Sequence, residues 1–172
     1  MKFKTIQKGF SLIELLVVVA IIGILATVGV LSFNGYTKSA KINATKTQHK
    51  NIVKFMQAEI MKCSLGNTNL ILKRSNGGNT NISCNINSVN TITLGSRFVD
   101  HFRGEDFRNP FNVPDRNGTT YSTTGNSPVL GQTRIVHSGG NKLQIVSKFS
   151  GNNNQWSGNL NEVIISEVID GR

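Results

Sequence analysis

The chain has 172 residues, 38% of them hydrophobic, and carries 19 Lys and Arg against 9 Asp and Glu, a formal charge of +10. That length allows one domain with a modest core and excludes two large ones. The basic balance directs attention to polyanions and anionic surfaces, with plain solubility as the simpler explanation.

Three of the lysines, Lys2, Lys4 and Lys8, lie in the first nine residues, and a strongly apolar stretch follows over residues 10–33. As a helix, such a stretch is about 36 Å long, enough to cross a bilayer. Between Leu15 and Val30 the only polar side chain is Thr27. Basic residues ahead of the stretch keep the N-terminus cytoplasmic and send the remainder across the membrane. A secretory signal would close its apolar region with small residues and a cleavage site, and this stretch has no clear one. The natural cut lies ahead of it, between Gly9 and Phe10. It removes the charged leader, keeps the membrane helix and leaves 16 basic against 9 acidic residues.

Glu14 stands inside the apolar stretch. An acid there costs about 2.5–3.5 kcal/mol on insertion scales, so it needs a partner. Cleavage after Gly9 creates one, the new amine of Phe10. In a staggered bundle of helices, Glu14 of one copy meets the Phe10 amine of the next, and the pairing sets the axial register.

The run Gly9-Phe10-Ser11-Leu12-Ile13-Glu14-Leu15-Leu16 resembles the processing and methylation signature of type IV pilins and the related pseudopilins of type II secretion. The resemblance covers about residues 8–33, and the short leader is like that of the type IVa and pseudopilin branches. It implies cleavage by a prepilin peptidase after Gly9, N-methylation of Phe10 and assembly through Glu14. It also implies a single-pass inner-membrane precursor that an inner-membrane assembly machinery builds into an extracellular helical homo-oligomer. The roles implied are adhesion, twitching motility or DNA uptake. The alternatives are a pseudopilin in a periplasmic fibre and a DNA-binding minor pilin. One departure concerns the helix. Many type IVa pilins carry a proline near the end of this segment, whereas here the first proline is Pro110, leaving Gly23, Gly29 and the β-branched Thr27, Val28 and Val30 as mild weak points.

Beyond residue 33 the helix is expected to continue. Ile42, Thr45, His49, Ile52, Val53, Met56 and Ile60 recur at spacings of three and four, one face of an amphipathic helix that ends near Gly66. Lys46, Lys50 and Lys54 form a stripe beside that face. They are candidate polyanion contacts, together with Arg97, Arg103, Arg108 and Arg116 from the head, for a partner such as DNA. The competing explanation is a solvated face, or charges paired within the head or with a neighbouring copy.

The head reads as β-rich. Short β-like runs are expected at residues 69–72 and 89–94, broken by Ser75-Asn76-Gly77-Gly78-Asn79, with a short helix at 96–103 and a loop over 104–128. Residues 133–138 and 142–149 alternate across Gly139-Gly140-Asn141, a hairpin signal. A polar stretch with Trp156 precedes a last strand at 162–169. The expected fold is α+β: a long helix, membrane-spanning in one half and amphipathic in the other, packed on a small antiparallel sheet of three to five strands, which matches the lollipop form of the pilin family. The expected organisation is a leader at 1–9, a transmembrane and fibre-core helix at 10–33, its exported half at 34–65 and a head at 66–172. Phe107-Arg108-Asn109-Pro110-Phe111 loosely resembles the proline-aromatic loops of some pilins.

The two cysteines, Cys63 and Cys84, form an even pair that an oxidising compartment would join. His49, His101 and His137 are scattered and no Cys/His cluster exists, so neither a metal nor another cofactor is expected. Asp115-Arg116-Asn117-Gly118 lacks the full spacing of a calcium loop. The neighbours Glu105 and Asp106 do not make an acid–base pair by adjacency. No phosphate-binding loop, HExxH or nucleophile elbow is visible, so the chain reads as a processed substrate rather than an enzyme.

Overall fold

The computed structural model describes residues 9–85, 89–114, 118–122, 128–151 and 163–169, with the backbone alone described for Leu31, Tyr121, Ser122, Val163, Ile164 and Ile169. The polar stretch with Trp156 and the segment Asp115–Asn117 lie outside the described residues. The chain divides into two units, Met1–Ser39 and Ala40–Arg172.

Helix α1, Leu12–Ser64, opens the fold. It ends where the sequence places a stop: Gly66 has φ +96°, its N–H donates to Cys63 O, and Asn67 N–H donates to Lys62 O. This is the paired bonding by which a left-handed glycine caps the last carbonyls of a helix. Within Ala40–Arg172 the face predicted from spacing is the inward one. Thr45, His49, Ile52, Met56 and Ile60 are all buried.

Strands β1 (Asn69–Lys73) and β2 (Asn79–Ser83) pair antiparallel as a two-stranded sheet. Arg74 N–H to Gly78 O closes the turn, and Gly77 at φ +87° supplies the left-handed residue. Leu70, Leu72 and Ile82 face the core, while Asn69, Ile71 and Asn81 face water. The β2 strand was hidden in the sequence because its polar residues read as loop.

Helix α2 spans Thr91–Gly104. The β-like run expected at 89–94 is instead its cap and first turn. Asn90 Oδ1 accepts the Thr93 N–H at 2.8 Å, and the cap outweighs the β propensity of Thr91, Ile92 and Thr93. The helix is also longer than the expected 96–103, because Leu94, Phe98 and Phe102 line up at intervals of four and bury against α1 and the sheets.

The second sheet has the order β3-β4-β5-β6, with β3 at Thr119–Ser122, β4 at Thr133–His137, β5 at Lys142–Lys148 and β6 at Val163–Ile169. The β4–β5 hairpin turns through Gly139 and Gly140, both at positive φ, as its sequence indicates. β6 pairs antiparallel with β5. The strand β3 lies in the stretch expected to be loop, and it runs parallel to β4 rather than antiparallel. The loop 107–111 explains this pairing. Gly118 abuts the backbone of Phe107 and Arg108, Gly131 abuts the Asn109 side chain, and Thr133 N–H donates to Gly118 O at 2.8 Å. The two strands therefore start side by side and run the same way.

One core joins these elements: Ile52, Met56 and Ile60 of α1, Leu70, Leu72 and Ile82 of the small sheet, Leu94, Phe98, Val99 and Phe102 of α2, and Ile135, Leu143, Ile145 and Val168 of the large sheet. Each such side chain contributes about 1.5–3 kcal/mol when fully buried. A polar thread crosses the core. His49 Nδ1 bonds Ser147 Oγ at 2.9 Å, His49 Nε2 bonds Ser166 Oγ at 2.8 Å, and Ser147 Oγ bonds Thr133 Oγ1 at 2.6 Å.

Candidate processing and assembly site

The helix α1 begins at Leu12 because Ser11 caps it. Glu14 N–H donates to Ser11 Oγ at 3.3 Å, while Ser11 N–H and Ser11 Oγ–H donate to Glu14 Oε2 at 2.9 and 2.8 Å. This reciprocal arrangement satisfies helix N–H groups that otherwise lack partners. Its signal, Ser-x-x-Glu ahead of an apolar run, was legible in the sequence beside the reading of Glu14 as a lone acid. Gly9 and Phe10 precede the helix and are exposed.

The apolar half of α1 leaves its large side chains uncovered. Leu12, Ile13, Leu16, Ile22, Ile24, Leu25, Val28 and Phe33 are each more than half exposed within the chain. The helix is long and apolar enough to cross a membrane. A surface like this is stable only in lipid or against other protein. A Cβ built on Gly9, Gly23 or Gly29 would meet nothing within 4 Å, so packing among the described residues gives no reason for glycine at these positions.

A family model for the prokaryotic N-terminal methylation motif matches residues 4–30. The chain is 51% identical over 39 residues to the type IV major pilin protein PilE1 of Neisseria gonorrhoeae, covering 23% of this chain and 24% of that protein. The N-terminal segment is similar to that of type IV pilins. The same segment is 51% identical over 39 residues to a fimbrial protein of Neisseria meningitidis serogroup B, covering 23% of each chain. It is also similar to the type IV major fimbrial protein FimA of Dichelobacter nodosus, 42% identical over 45 residues, or 26% of this chain and 29% of that one. The chain spans about a quarter of the length of the curated relatives it matches. No solved structure matches.

Beyond the matched segment, Cys63 and Cys84 are joined, with their Cα atoms 5.4 Å apart. The bond ties the last turn of α1 to the residue that follows β2. The lysine stripe is not uniform. Lys46 is half-buried with its Nζ 4.4 Å from the centre of the Phe149 ring, whereas Lys50 and Lys54 are exposed. Arg97 and Arg103 sit on α2, and Arg108 on the following loop bonds Asp106 at 2.9 Å. Arg116 lies outside the described residues. The candidate cations are thus spread over three elements.

Glu105 and Asp106 are engaged separately, by Lys73 and by Arg108. Among the described residues no three His, Cys, Asp or Glu side chains group as a metal site. Burial pushes the His49 imidazole down to about 4. His101 is also lowered, mainly by burial. It stacks on Phe55 at 4.4 Å and accepts the Lys73 N–H on Nδ1. Both histidines join elements of the head, a role that their separate positions in the sequence did not reveal.

Proposed function

We propose that the chain is a structural subunit of a type IV pilus, not an enzyme, processed between Gly9 and Phe10, methylated at Phe10 and assembled through Glu14. Residues 1–9 are then a discarded leader, residues 10–33 the membrane and fibre-core helix, residues 34–65 its exported half and residues 66–172 the displayed head. The observation that carries this reading is a helix with the methylation motif, whose apolar half is bare within the chain and holds one acid, Glu14, in its first turn. Such a helix is soluble in lipid before assembly and satisfied by copies of itself afterwards. The open surroundings of Gly9 support a requirement set by a peptidase rather than by packing. Intact-mass and N-terminal sequencing of sheared surface fibres test the proposal. The expected species starts at N-methylated Phe10, and a mature chain with any other start overturns the reading. Recovery only from periplasmic fibres would favour a type II secretion pseudopilin.

A second reading is polyanion binding by the head, with DNA as the partner. It is favoured by the charge pairing. Every described acid other than Glu14 is bonded to a cation of its own chain: Glu59 to Lys62, Asp100 to Arg74, Glu105 to Lys73, Asp106 to Arg108 and Glu167 to Lys142. Lys50, Lys54 and Arg103 remain as exposed positive charge. Binding through them would weaken steeply with salt because phosphate contacts release counterions. Fibre–DNA affinity that ignores both salt and neutralisation of these residues would remove this reading.

A further inference from the structure

Ser11 and Glu14 are joined by three hydrogen bonds, and two of them converge on one carboxylate oxygen. Both the Ser11 hydroxyl and the Ser11 amide donate to Oε2. The carboxylate is thereby folded back toward the N-terminal end of α1, against the residue that follows Phe10. A carboxylate has about four acceptor sites, and Ser11 occupies those of one oxygen. Among the described residues the other oxygen, Oε1, has no hydrogen-bond partner, and Glu14 is exposed.

We infer that Ser11 is a positioning residue for assembly: it holds Glu14 at the helix start with Oε1 presented to the Phe10 amine of a neighbouring copy. The inference rests on the proposed pairing of Glu14 with that amine. Its physical basis is the setting. From Leu12 to Ala26 Glu14 is the only polar side chain, so no other side chain of this stretch can steady it. In hydrocarbon an unpaired carboxylate is expensive, and charge-assisted hydrogen bonds from a neighbouring hydroxyl are among the stronger ones available. A glutamate side chain free to sample its rotamers would lose that freedom when it met the amine, whereas one already tied to Ser11 loses less. Ser11 therefore does two things with one hydroxyl. It accepts the Glu14 N–H as a helix cap, and it donates to the Glu14 carboxylate.

These two roles separate by substitution. Thr keeps both. Gly caps a helix nearly as well as Ser but has no hydroxyl to donate. The test uses the full-length chain, produced with its processing peptidase, as Ser11→Thr, Ser11→Gly and Glu14→Ala. The ratio of fibre to processed membrane subunit is measured by shearing and intact mass, so effects on cleavage do not enter. Ser11→Thr is expected to match the wild type. Ser11→Gly is expected to lower the ratio about tenfold, the consequence of losing one hydrogen bond to a charged group. In the processed, unassembled Ser11→Gly subunit, Glu14 should react severalfold faster with a carbodiimide while helix content stays unchanged, a readout that a capping role alone would not move. A wild-type ratio from Ser11→Gly beside failure of Glu14→Ala overturns the inference and leaves the pairing standing. Normal fibres from Glu14→Ala overturn the pairing and the inference together.

Discussion

Acidification should loosen the head through His49. Its imidazole is buried between Ser147 and Ser166, and burial pushes its pKa down to about 4, against about 6.5 in the unfolded chain. Between those two values the unfolded chain holds the proton and the folded chain does not. Stability is therefore fully present above pH 6.5 and is lost as pH falls toward 4, at about 1.4 kcal/mol per pH unit where the difference is one whole proton. Across the window the loss is about 3 kcal/mol at most, a large fraction of the stability of a small domain. His101, also lowered by burial, adds loss of the same sign. Asp100 acts at lower pH, because the Ser75 hydroxyl holds its carboxyl below the usual range and its contribution disappears only as pH falls through that lowered value. His49→Gln removes one of these titrations while leaving a side chain able to hydrogen-bond. It should cost about 1–2 kcal/mol at pH 7 and flatten the slope between pH 6.5 and 4. The assay is urea unfolding of the full chain in nonionic micelles at half-unit pH steps, followed by amide exchange in β4 and β5. Parallel stability–pH curves for the wild type and His49→Gln, or an imidazole that titrates near 6.5 in the folded protein, would refute the reasoning.

Four further outcomes are expected. Replacing both cysteines with serine opens a loop spanning 21 residues of sequence separation and should cost about 3 kcal/mol in the chain-entropy model, read as a shift in urea midpoint. Phe98→Ala empties a fully buried site shared by α1 and α2 and should cost about 3–5 kcal/mol in the same assay. Gly131→Ala places a methyl group against the Asn109 side chain at φ +81°, so it should destabilise by more than the roughly 1–2 kcal/mol of the left-handed conformation alone and should expose β3 and β4 amides first in exchange measurements. A bulky side chain at Gly9 should leave uncleaved precursor in the membrane with the head still folded, seen as retained leader mass and an unchanged urea midpoint.

The sequence alone determined what depends on local order. The apolar run after Lys8, the acid within it and the glycine ahead of Phe10 are contiguous, so their chemistry reads directly along the chain, and the comparisons match this same segment. The inward face of α1 was legible from spacing, its end from Gly66, and the β4–β5 hairpin from Gly139 and Gly140, because each rests on residues a few positions apart. The pairing of Cys63 with Cys84 needed only the count and the compartment. Tertiary structure decided the rest. Residues 91–94 have β-like side chains, and it took the Asn90 cap and the burial of Leu94 against distant residues to make them helical. The parallel pairing of β3 with β4 depends on Gly118 and Gly131 meeting a loop that precedes both, a contact no local pattern encodes. His49 looked like one more residue on a helix face, and its role exists only where Ser147 and Ser166, roughly a hundred residues away, close around it. Lys46 differs from Lys50 and Lys54 for the same reason: the helix repeats the charge every four residues, but only the folded sheet brings Phe149 beneath one of them.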